Sequence, residues 1–312
     1  MPALRRLTPT LLSLAIAACG IESVGTMVDL NGATPNGGDG GGGGSSGSGS
    51  SSGSGGGSSS GGTDQDGGGP VDDGGDGGGN VDADGAASVP VQYMHSATSL
   101  YLVDGATGAT TSVAAFGGPC AGINVGDLAI DRAGNAYVAT LPPASADGNL
   151  YKVNLTTGVC GASIGTLGRR CNALTFAPDP ADANKEILFA ACTTSFYRVS
   201  TTTGATTLVG ALGTGLSSSG DIVWLPGKGV FITLADTGSV NDRLGSINLT
   251  TGAATPIGTD VGNVGVYALG HRNGKILGYG NGYSITIDPA TGAGTTWNAA
   301  TGIYAYGAAT TQ

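Results

Sequence analysis

The phrase LYLVDGATG at 100–108 decides the fold, because the chain repeats it as LYKVNLTTG (150–158), FYRVSTTTG (196–204), LGSINLTTG (244–252) and SITIDPATG (284–292). Its second and fourth places are mostly tyrosine or β-branched, which is the two-residue period of a strand with one buried face. The fifth place is Asp, Asn or Ser, whose short side chain starts a turn by bonding the backbone two residues on. The ninth is always Gly, which suits a positive φ. The phrase therefore predicts a strand, a tight turn and a second strand.

A second recurring unit lies between successive phrases. Apolar segments flank a turn rich in Gly, Pro, Asp or Asn at 128–140, 174–192, 222–234 and 267–280. Each such unit predicts a hairpin, so a repeat contains four strands. The phrases begin 40 to 50 residues apart and no helical periodicity appears between them. This pattern is typical of a β-propeller.

The two ends of the repeat region predict how the propeller closes. The first phrase is preceded by one strand, VQYMHS (91–96), and the last is followed by a lone strand, GIYAYGAAT (302–310). Placing the C-terminal strand innermost in the first blade gives five four-stranded blades and removes the exposed edges of an open array. We therefore predict an all-β, five-bladed propeller over 89–312. A pair of β-sandwiches and an open solenoid remain alternatives.

The repeats resemble bacterial β-propeller repeats of the YVTN, NHL and quinoprotein-like types, in which a strand ending in Asp-x-x-Thr-Gly enters the outermost hairpin. The resemblance implies a fold, and this fold hosts unrelated functions. Quinoprotein enzymes of this shape have more blades and a characteristic tryptophan in most repeats, whereas this chain has only Trp224 and Trp297. We therefore predict no quinone and no other cofactor.

The N-terminus predicts export. Two arginines precede a short apolar run over 11–18, which is typical of a secretory signal and too short to span a membrane. Residues 16–19, Ile-Ala-Ala-Cys, resemble the lipobox of bacterial lipoproteins, which implies cleavage after residue 18 and a lipid on Cys19. Gly20 stands where an Asp commonly retains such proteins in the inner membrane, which implies the outer membrane. The predicted localisation is the bacterial cell envelope.

Residues 19–88 predict a disordered linker of Gly, Ser and Asp, since this composition cannot bury enough apolar surface to order itself. A flexible chain of this length spans roughly 45 Å, enough to hold a domain clear of a lipid surface. Of the 22 acidic residues, ten lie in 20–88, which has no Lys or Arg. The remaining twelve acidic and ten basic residues leave 89–312 nearly neutral. We therefore predict no nucleic-acid partner, which would need a basic face.

Few residues in the repeat region suggest chemistry. His95 and His271 are the only histidines of the chain. We predict that His271 is a solvated turn residue and consider a site role for His95, at the end of the first strand. Motifs of nucleophilic, metal or phosphate chemistry do not occur in a suitable context. Carboxylates such as Asp131, Asp179 and Asp288 occupy places where starting a turn explains them.

Two long loops, 141–148 and 235–243, fall on one predicted face, where strand two meets strand three and each blade meets the next. Propellers bind ligands with variable loops on a rigid scaffold. The candidate ligand-binding rim comprises Arg169, Arg170, Asp236, Asn241, Asp242 and Arg243, with His95 as a further candidate. The alternative is that these residues only solvate the face.

Three polar residues, Asp127, Asn172 and Asp221, recur just before predicted inner strands. We predict that they either ring the channel mouth, facing a ligand or water, or hydrogen-bond neighbouring blades. We assign no catalytic residue and no metal ligand.

Because export places the domain in an oxidising environment, we predict that the four cysteines after Cys19 form disulfides. If Leu174 faces Phe189 across the hairpin 174–192, then Cys171 faces Cys192, within reach of a disulfide. Cys120–Cys160 follows by elimination, although we expect Cys160 at the opposite end of its blade from Cys120. In the alternative interpretation these two cysteines remain free.

We therefore predict a membrane-tethered, non-catalytic binding module for a protein, glycan or envelope component. One alternative is an exported, metal-dependent propeller hydrolase or lactonase, which requires clustered Asp, Glu, Asn or His side chains. The other is a structural surface or adhesion protein in which the propeller is a spacer.

Overall fold

The computed structural model describes residues 90–143, 146–298 and 300–312, which form twenty strands in five antiparallel sheets. The predicted signal peptide, the lipidation site at Cys19 and the linker to residue 88 lie outside these residues. A 3-10 turn spans Gly118–Cys120. The described residues contain no helix with the length and apolar character that a membrane span requires.

The sheets are five four-stranded blades, named here in chain order. Blade one begins with β1 (Gln92–His95), β2 (Ser99–Val103) and β3 (Thr110–Ala115). Blade two contains β4 (Val125–Ile130), β5 (Ala136–Thr140), β6 (Asn149–Val153) and β7 (Cys160–Thr166). Blade three contains β8 (Ala173–Asp179), β9 (Asp182–Cys192), β10 (Ser195–Val199) and β11 (Thr206–Ala211). Blade four contains β12 (Leu216–Leu225), β13 (Gly229–Asp236), β14 (Arg243–Ile247) and β15 (Ala254–Ile257). Blade five contains β16 (Ala268–Arg272), β17 (Lys275–Tyr279), β18 (Ser284–Ile287) and β19 (Gly294–Asn298), and β20 (Gly307–Thr310) completes blade one.

The C-terminal strand closes the ring. β20 pairs antiparallel with β1, with Thr310 opposite Gln92 and Gly307 opposite His95. The five innermost strands β20, β4, β8, β12 and β16 each pack against the next, and β16 packs against β20. The predicted five-bladed propeller is therefore confirmed, and neither an open solenoid nor a pair of sandwiches describes this arrangement.

The repeated phrase forms the predicted turn between the third and fourth strands of each blade. In blade one, Asp104 Oδ1 accepts hydrogen bonds from the amides of Ala106 and Thr107 at 2.8 and 2.9 Å. The final glycine has a φ of 68° to 76° in all five copies, which is the left-handed region. In blade three, a Cβ on Gly204 would also lie only 2.6 Å from the Gly165 carbonyl oxygen of blade two. A glycine is therefore required at this position for two reasons: the turn has a positive φ, and the preceding blade leaves no room for a Cβ.

The third strand of each blade is more deeply buried than the two-residue period predicts. The first place of the phrase is fully buried in four blades, at Leu100, Leu150, Phe196 and Leu244. The second place is buried or half-buried, on the opposite side of the sheet. Each blade lies between two others, so both of its faces are covered near the axis.

Both predicted disulfides form, Cys171–Cys192 with a Cα–Cα distance of 4.1 Å and Cys120–Cys160 with 5.8 Å. The register used to predict the first is wrong by one residue, since Leu174 pairs with Ala190 rather than Phe189.

The expectation that Cys120 and Cys160 lie at opposite ends of blade two is also wrong. The link after β3 runs beside the start of β7, where Gly117 and Val159 form a parallel bridge. This link brings Cys120 to the outer strand before the chain enters β4.

Candidate functional site

The axial channel is the first candidate site, since five inner strands converge there. The cavity on the axis has a volume of about 20 Å³. A cavity of this size holds about one water molecule. A sugar ring or any larger ligand therefore does not fit inside the channel, and ligands of that size must contact an outer face.

At one end of the channel, two buried carboxylates together accept a hydrogen bond from one backbone amide of every blade. Asp127 Oδ1 accepts the Leu128 amide at 2.7 Å, and its Oδ2 accepts the Leu174 amide. Asp221 Oδ1 accepts the Ile222 amide at 2.6 Å. Its Oδ2 accepts the amides of Leu269 at 2.7 Å and Ala308 at 3.2 Å. Both aspartates are fully buried. Of the two predicted roles, the bonding of neighbouring blades is therefore the one these side chains perform.

The two aspartates lie near each other, and His95 lies beside them. Asp127 Oδ1 lies against Gly307, and the next amide along β20, that of Ala308, donates to Asp221. The fully buried His95 ring places Nε2 3.9 Å from Asp127 Oδ1, and its Nδ1 donates to the Ser96 carbonyl at 2.8 Å. Gly307 is packed against this group, because a Cβ there would overlap both Asp127 Oδ1 and His95 Nε2. We name Asp127, Asp221 and His95 the axial cluster.

Burial dominates the electrostatics of the axial cluster. Burial raises the pKa of Asp127 well above its usual range, and the nearby charge of Asp221 raises it further. Burial raises the pKa of Asp221 to about 7, although the hydrogen bonds it accepts lower it. Burial lowers the pKa of His95 to about 4, against the effect of the Ser96 hydrogen bond. His95 is therefore uncharged at neutral pH, and its contact with Asp127 is not an ion pair.

The second candidate site is on the loop face, where strand two of each blade meets strand three and each blade meets the next. Four loops of blades four and five, 237–242, 258–267, 280–283 and 300–306, form one hydrogen-bonded surface that we name the loop platform. The Asp242 amide donates to the Asn263 carbonyl at 3.0 Å. The Tyr283 hydroxyl donates to the Val264 carbonyl at 2.8 Å. The Gly282 amide donates to the Ile303 carbonyl at 3.0 Å, which connects the fourth loop.

The loop platform exposes large apolar side chains. Val240 is 86% exposed, Tyr304 is 62% exposed and Val264 is 59% exposed. The four loops contain no Lys or Arg, and their polar residues are mainly Asn, Ser, Thr and Tyr. An exposed aromatic and aliphatic surface with neutral hydrogen-bonding groups is suited to contact a partner.

Four residues of the predicted rim lie in or directly beside the first loop of the loop platform. Asp236 Oδ2 pairs with Arg243 Nη1 at 3.1 Å. Asn241 Nδ2 donates to Asp260 Oδ1 at 3.4 Å. Asp242 is buried and its Oδ2 accepts the Val266 amide at 2.6 Å. Burial raises the pKa of Asp242, while the Val266 amide lowers it.

The other candidates lie elsewhere. The Arg169 guanidinium lies 4.0 Å above the Tyr197 ring, and its Nε donates to Thr206 Oγ1 at 3.0 Å, so Arg169 packs between blades two and three. Arg170 is exposed. Among the contacts of the described residues, none joins these arginines to blade four. A ligand-binding role for any rim residue stays a prediction.

The expectation for His271 is wrong. This residue is buried, lies within β16 and lines the far end of the axial cavity. The turn consists of Asn273 and Gly274, with φ of 51° and 72°, so it begins two residues later than His271. Predicting the hairpin from the HRNGK run placed the turn too early.

The sequence interpretation missed the apolar residues of the loop platform. Val240, Val264 and Tyr304 are isolated in polar stretches, and nothing local distinguishes them from partly buried loop residues. Among the described residues, no three His, Cys, Asp or Glu side chains are grouped as metal ligands would be.

No protein-family model and no curated protein matches the sequence. A nidogen/laminin complex structure has a TM-score of 0.46 at 10% identity, covering 72% of this chain and 98% of that chain. TolB from Acinetobacter baumannii has a TM-score of 0.37 at 13% identity, covering 68% of this chain and 51% of its own. A protein of unknown function from Bacteroides caccae has a TM-score of 0.40 at 10% identity, covering 72% and 100%. These likenesses carry no argument about the site, and the propeller assignment rests on the strand order and the ring closure.

Proposed function

We propose that this chain is an exported, non-catalytic binding module, held to the envelope of a bacterium by a lipid on Cys19, that binds an uncharged glycan through its loop platform. The location of the exposed apolar side chains carries this proposal. Val240, Val264 and Tyr304 come from three separate loops and lie on one hydrogen-bonded surface. The axial cavity of about 20 Å³ admits no sugar ring, so the ligand contacts an outer face.

The chemistry of the loop platform supports a neutral ligand. A tyrosine ring offers flat apolar area and a polar tip, and it loses little conformational entropy on binding. The surrounding Asn, Ser and Thr side chains supply neutral donors and acceptors. Polyanions are recognised by Lys and Arg, which these four loops lack. A hydroxyl-rich polymer with apolar ring faces matches both properties.

The lipid anchor and the linker explain why such a module is presented away from the membrane. A linker that spans roughly 45 Å lets the propeller reach polymers beyond the headgroup layer. The composition of 19–88 supports this spacing, and the apolar run before Cys19 supports the anchor.

An array of neutral and sulfated oligosaccharides, probed with the detergent-solubilised full chain, tests the proposal. We expect retention on neutral glycans. Tyr304→Ala should weaken binding by up to about tenfold, since an aromatic contact contributes about 0.5–1.5 kcal/mol. Leu208→Ser is the matched control, because Leu208 is 60% exposed on the outer strand of blade three.

Three results would reject the glycan platform. The first is that no neutral glycan is retained above background. The second is that the sulfated set is preferred. The third is that Leu208→Ser loses binding while Tyr304→Ala keeps it.

A further inference from the structure

In the axial cluster, five backbone amides share two carboxyl groups as their acceptors. Five backbone amides, one from each inner strand, converge on the two aspartate side chains. The residue before each donor is Asp in blades two and four and is Ala173, Ala268 or Gly307 in the others. Two carboxyl groups therefore satisfy the inward-facing amides of a ring with an odd number of blades. Without them, these buried amides would stay unpaired, which destabilises the fold.

The burial of two neighbouring carboxyl groups determines their protonation. Asp127 and Asp221 are both fully buried, and they contact the adjacent residues Gly307 and Ala308 of β20. Two carboxylates that share a buried site repel each other when both are ionised, so one of them keeps a proton unless a cation balances the second charge. We propose that Asp127 and Asp221 hold one proton between them at neutral pH, and that this proton makes the closed ring more stable in mildly acidic than in alkaline surroundings.

The groups around the two aspartates do not supply a positive charge that could take the place of this proton. From β1, His95 directs its unprotonated Nε2 toward Asp127, because Nδ1 donates to the Ser96 carbonyl. β8, β16 and β20 begin with Ala173, Ala268 and Gly307, so they bring no charge to this end of the channel. Their charged or titratable residues, Asp179, His271 and Arg272, lie at or near the opposite strand ends. Asp242, near the mouth, is held by the Val266 amide. Among the groups just named, none is a cation close enough to the two aspartates to balance a second negative charge.

The direction of the pH dependence follows from the pKa values. The pKa of Asp221 rises from 3.8 to about 7 on folding. Its proton therefore stabilises the fold fully below about pH 4, and this stability is lost as the pH rises to about 7. His95 acts in the opposite sense, since its pKa falls from 6.5 to about 4 and its contribution is lost as the pH falls through that range. The two effects overlap, so a test must separate the pair from His95.

Asp127→Asn provides this separation. Asparagine has nearly the size of aspartate and carries no charge at any pH, while His95 is unchanged. Asp288→Asn is the control: Asp288 is exposed, and Asn occupies the same place of the phrase at 154 and 248. Urea unfolding of the full chain between pH 5 and 7 gives the unfolding constant of each protein. We expect the stability advantage of the wild type over Asp127→Asn to shrink by up to tenfold per pH unit, which is about 1.4 kcal/mol. The difference for Asp288→Asn should stay constant.

Infrared spectroscopy gives a second measurement that a merely structural role would not change. At neutral pH the wild type should show the carbonyl stretch of a protonated carboxyl group, which both Asp127→Asn and Asp221→Asn remove. Asp288→Asn should retain it. A wild type whose spectrum is the same in this region as that of both variants overturns the proposal, as does a parallel pH dependence of wild type and Asp127→Asn. If neither variant folds, the infrared spectrum of the wild type labelled with ¹³C-aspartate is sufficient by itself. The absence of a protonated aspartate from that spectrum at pH 6.5 overturns the proposal.

Discussion

Substituting Gly307 by Ala tests how tightly the ring is closed around the axial cluster. The new Cβ would lie inside 3.0 Å of Asp127 Oδ1 and of His95 Nε2, a separation that real Cβ atoms do not show. Neither group can move freely. Asp127 is bonded to the amides of Leu128 and Leu174, and the His95 ring is held by Ser96 and lies against Phe116 at a centroid distance of 5.7 Å.

The expected loss of stability combines three effects. Overpacking a buried position costs about 1–3 kcal/mol. Displacing Asp127 leaves a buried amide unpaired, which costs about 1–3 kcal/mol more. Replacing Gly by Ala stabilises by about 0.4–1 kcal/mol through the unfolded chain. We therefore expect a net loss of about 1–6 kcal/mol, which lowers the Tm of a domain of this size by about 2 to 24 °C.

Thermal and urea unfolding followed by tryptophan fluorescence measure this loss. Gly161→Ala is the control, because its Cβ would meet only the Lys152 carbonyl oxygen, at 3.9 Å, on the exposed side of β7. That variant should match or slightly exceed the wild type in stability. A Gly307→Ala protein as stable as Gly161→Ala would refute the close packing of β20 on the axial cluster.

Three further changes test closure, crosslinking and anchoring. Deleting 307–312 removes the strand that pairs with β1, so the whole propeller should lose stability in one cooperative transition; a wild-type melting midpoint would contradict ring closure. Reducing both disulfides, which close sequence separations of 21 and 40 residues, should cost about 3–4 kcal/mol each by chain entropy. Peptide mapping of the oxidised protein should recover these two crosslinks, and other pairings would contradict the blade arrangement. Cys19→Ser should abolish lipid labelling and membrane association, and unchanged partition into membranes would rule out the anchor.

Local information explains why the turns were predictable. The side chain at the fifth place of the phrase bonds amides two and three residues on, so a short window of sequence contains both partners. At Asn154, for example, Oδ1 accepts the amides of Thr156 and Thr157 at 2.9 Å each. Closure was predictable for a different reason, since counting strands at the two ends required no knowledge of contacts.

The register of β8 and β9 was not predictable, because burial there does not alternate. The five residues Ala173 to Ala177 are all buried, since blade three is covered on both faces. A pattern without alternation does not distinguish one register from its neighbour, although a one-residue shift exchanges the two faces. The disulfide was still predicted correctly, because Cys171 precedes β8 and the chain there still lies beside the end of β9.

The axial cluster was predictable only in part. Asp127 and Asp221 each follow a glycine and precede an aliphatic residue, which resembles an ordinary strand start. Their donors come from five strands spread over about 180 residues of sequence, and they meet only when the ring is closed. Their recurrence before the inner strands therefore identified Asp127 and Asp221 and offered the bonding of neighbouring blades as one role, whereas the particular amides they bond and their position beside His95 depend on closure.

The features that hold the ring together and those that form the loop platform lie in different parts of the chain. The two disulfides lie in blades two and three and in the link that enters blade two, away from the loops of blades four and five. The loop platform is held by backbone hydrogen bonds and by the buried Asp242, without a covalent crosslink among its described residues. Loops that carry a binding surface tolerate sequence change when their scaffold is fixed independently. Because the axial cluster and the closing strand fix the blades from the centre, the exposed residues Val240, Val264 and Tyr304 are not required to hold the blades together, which agrees with the binding role proposed for the loop platform.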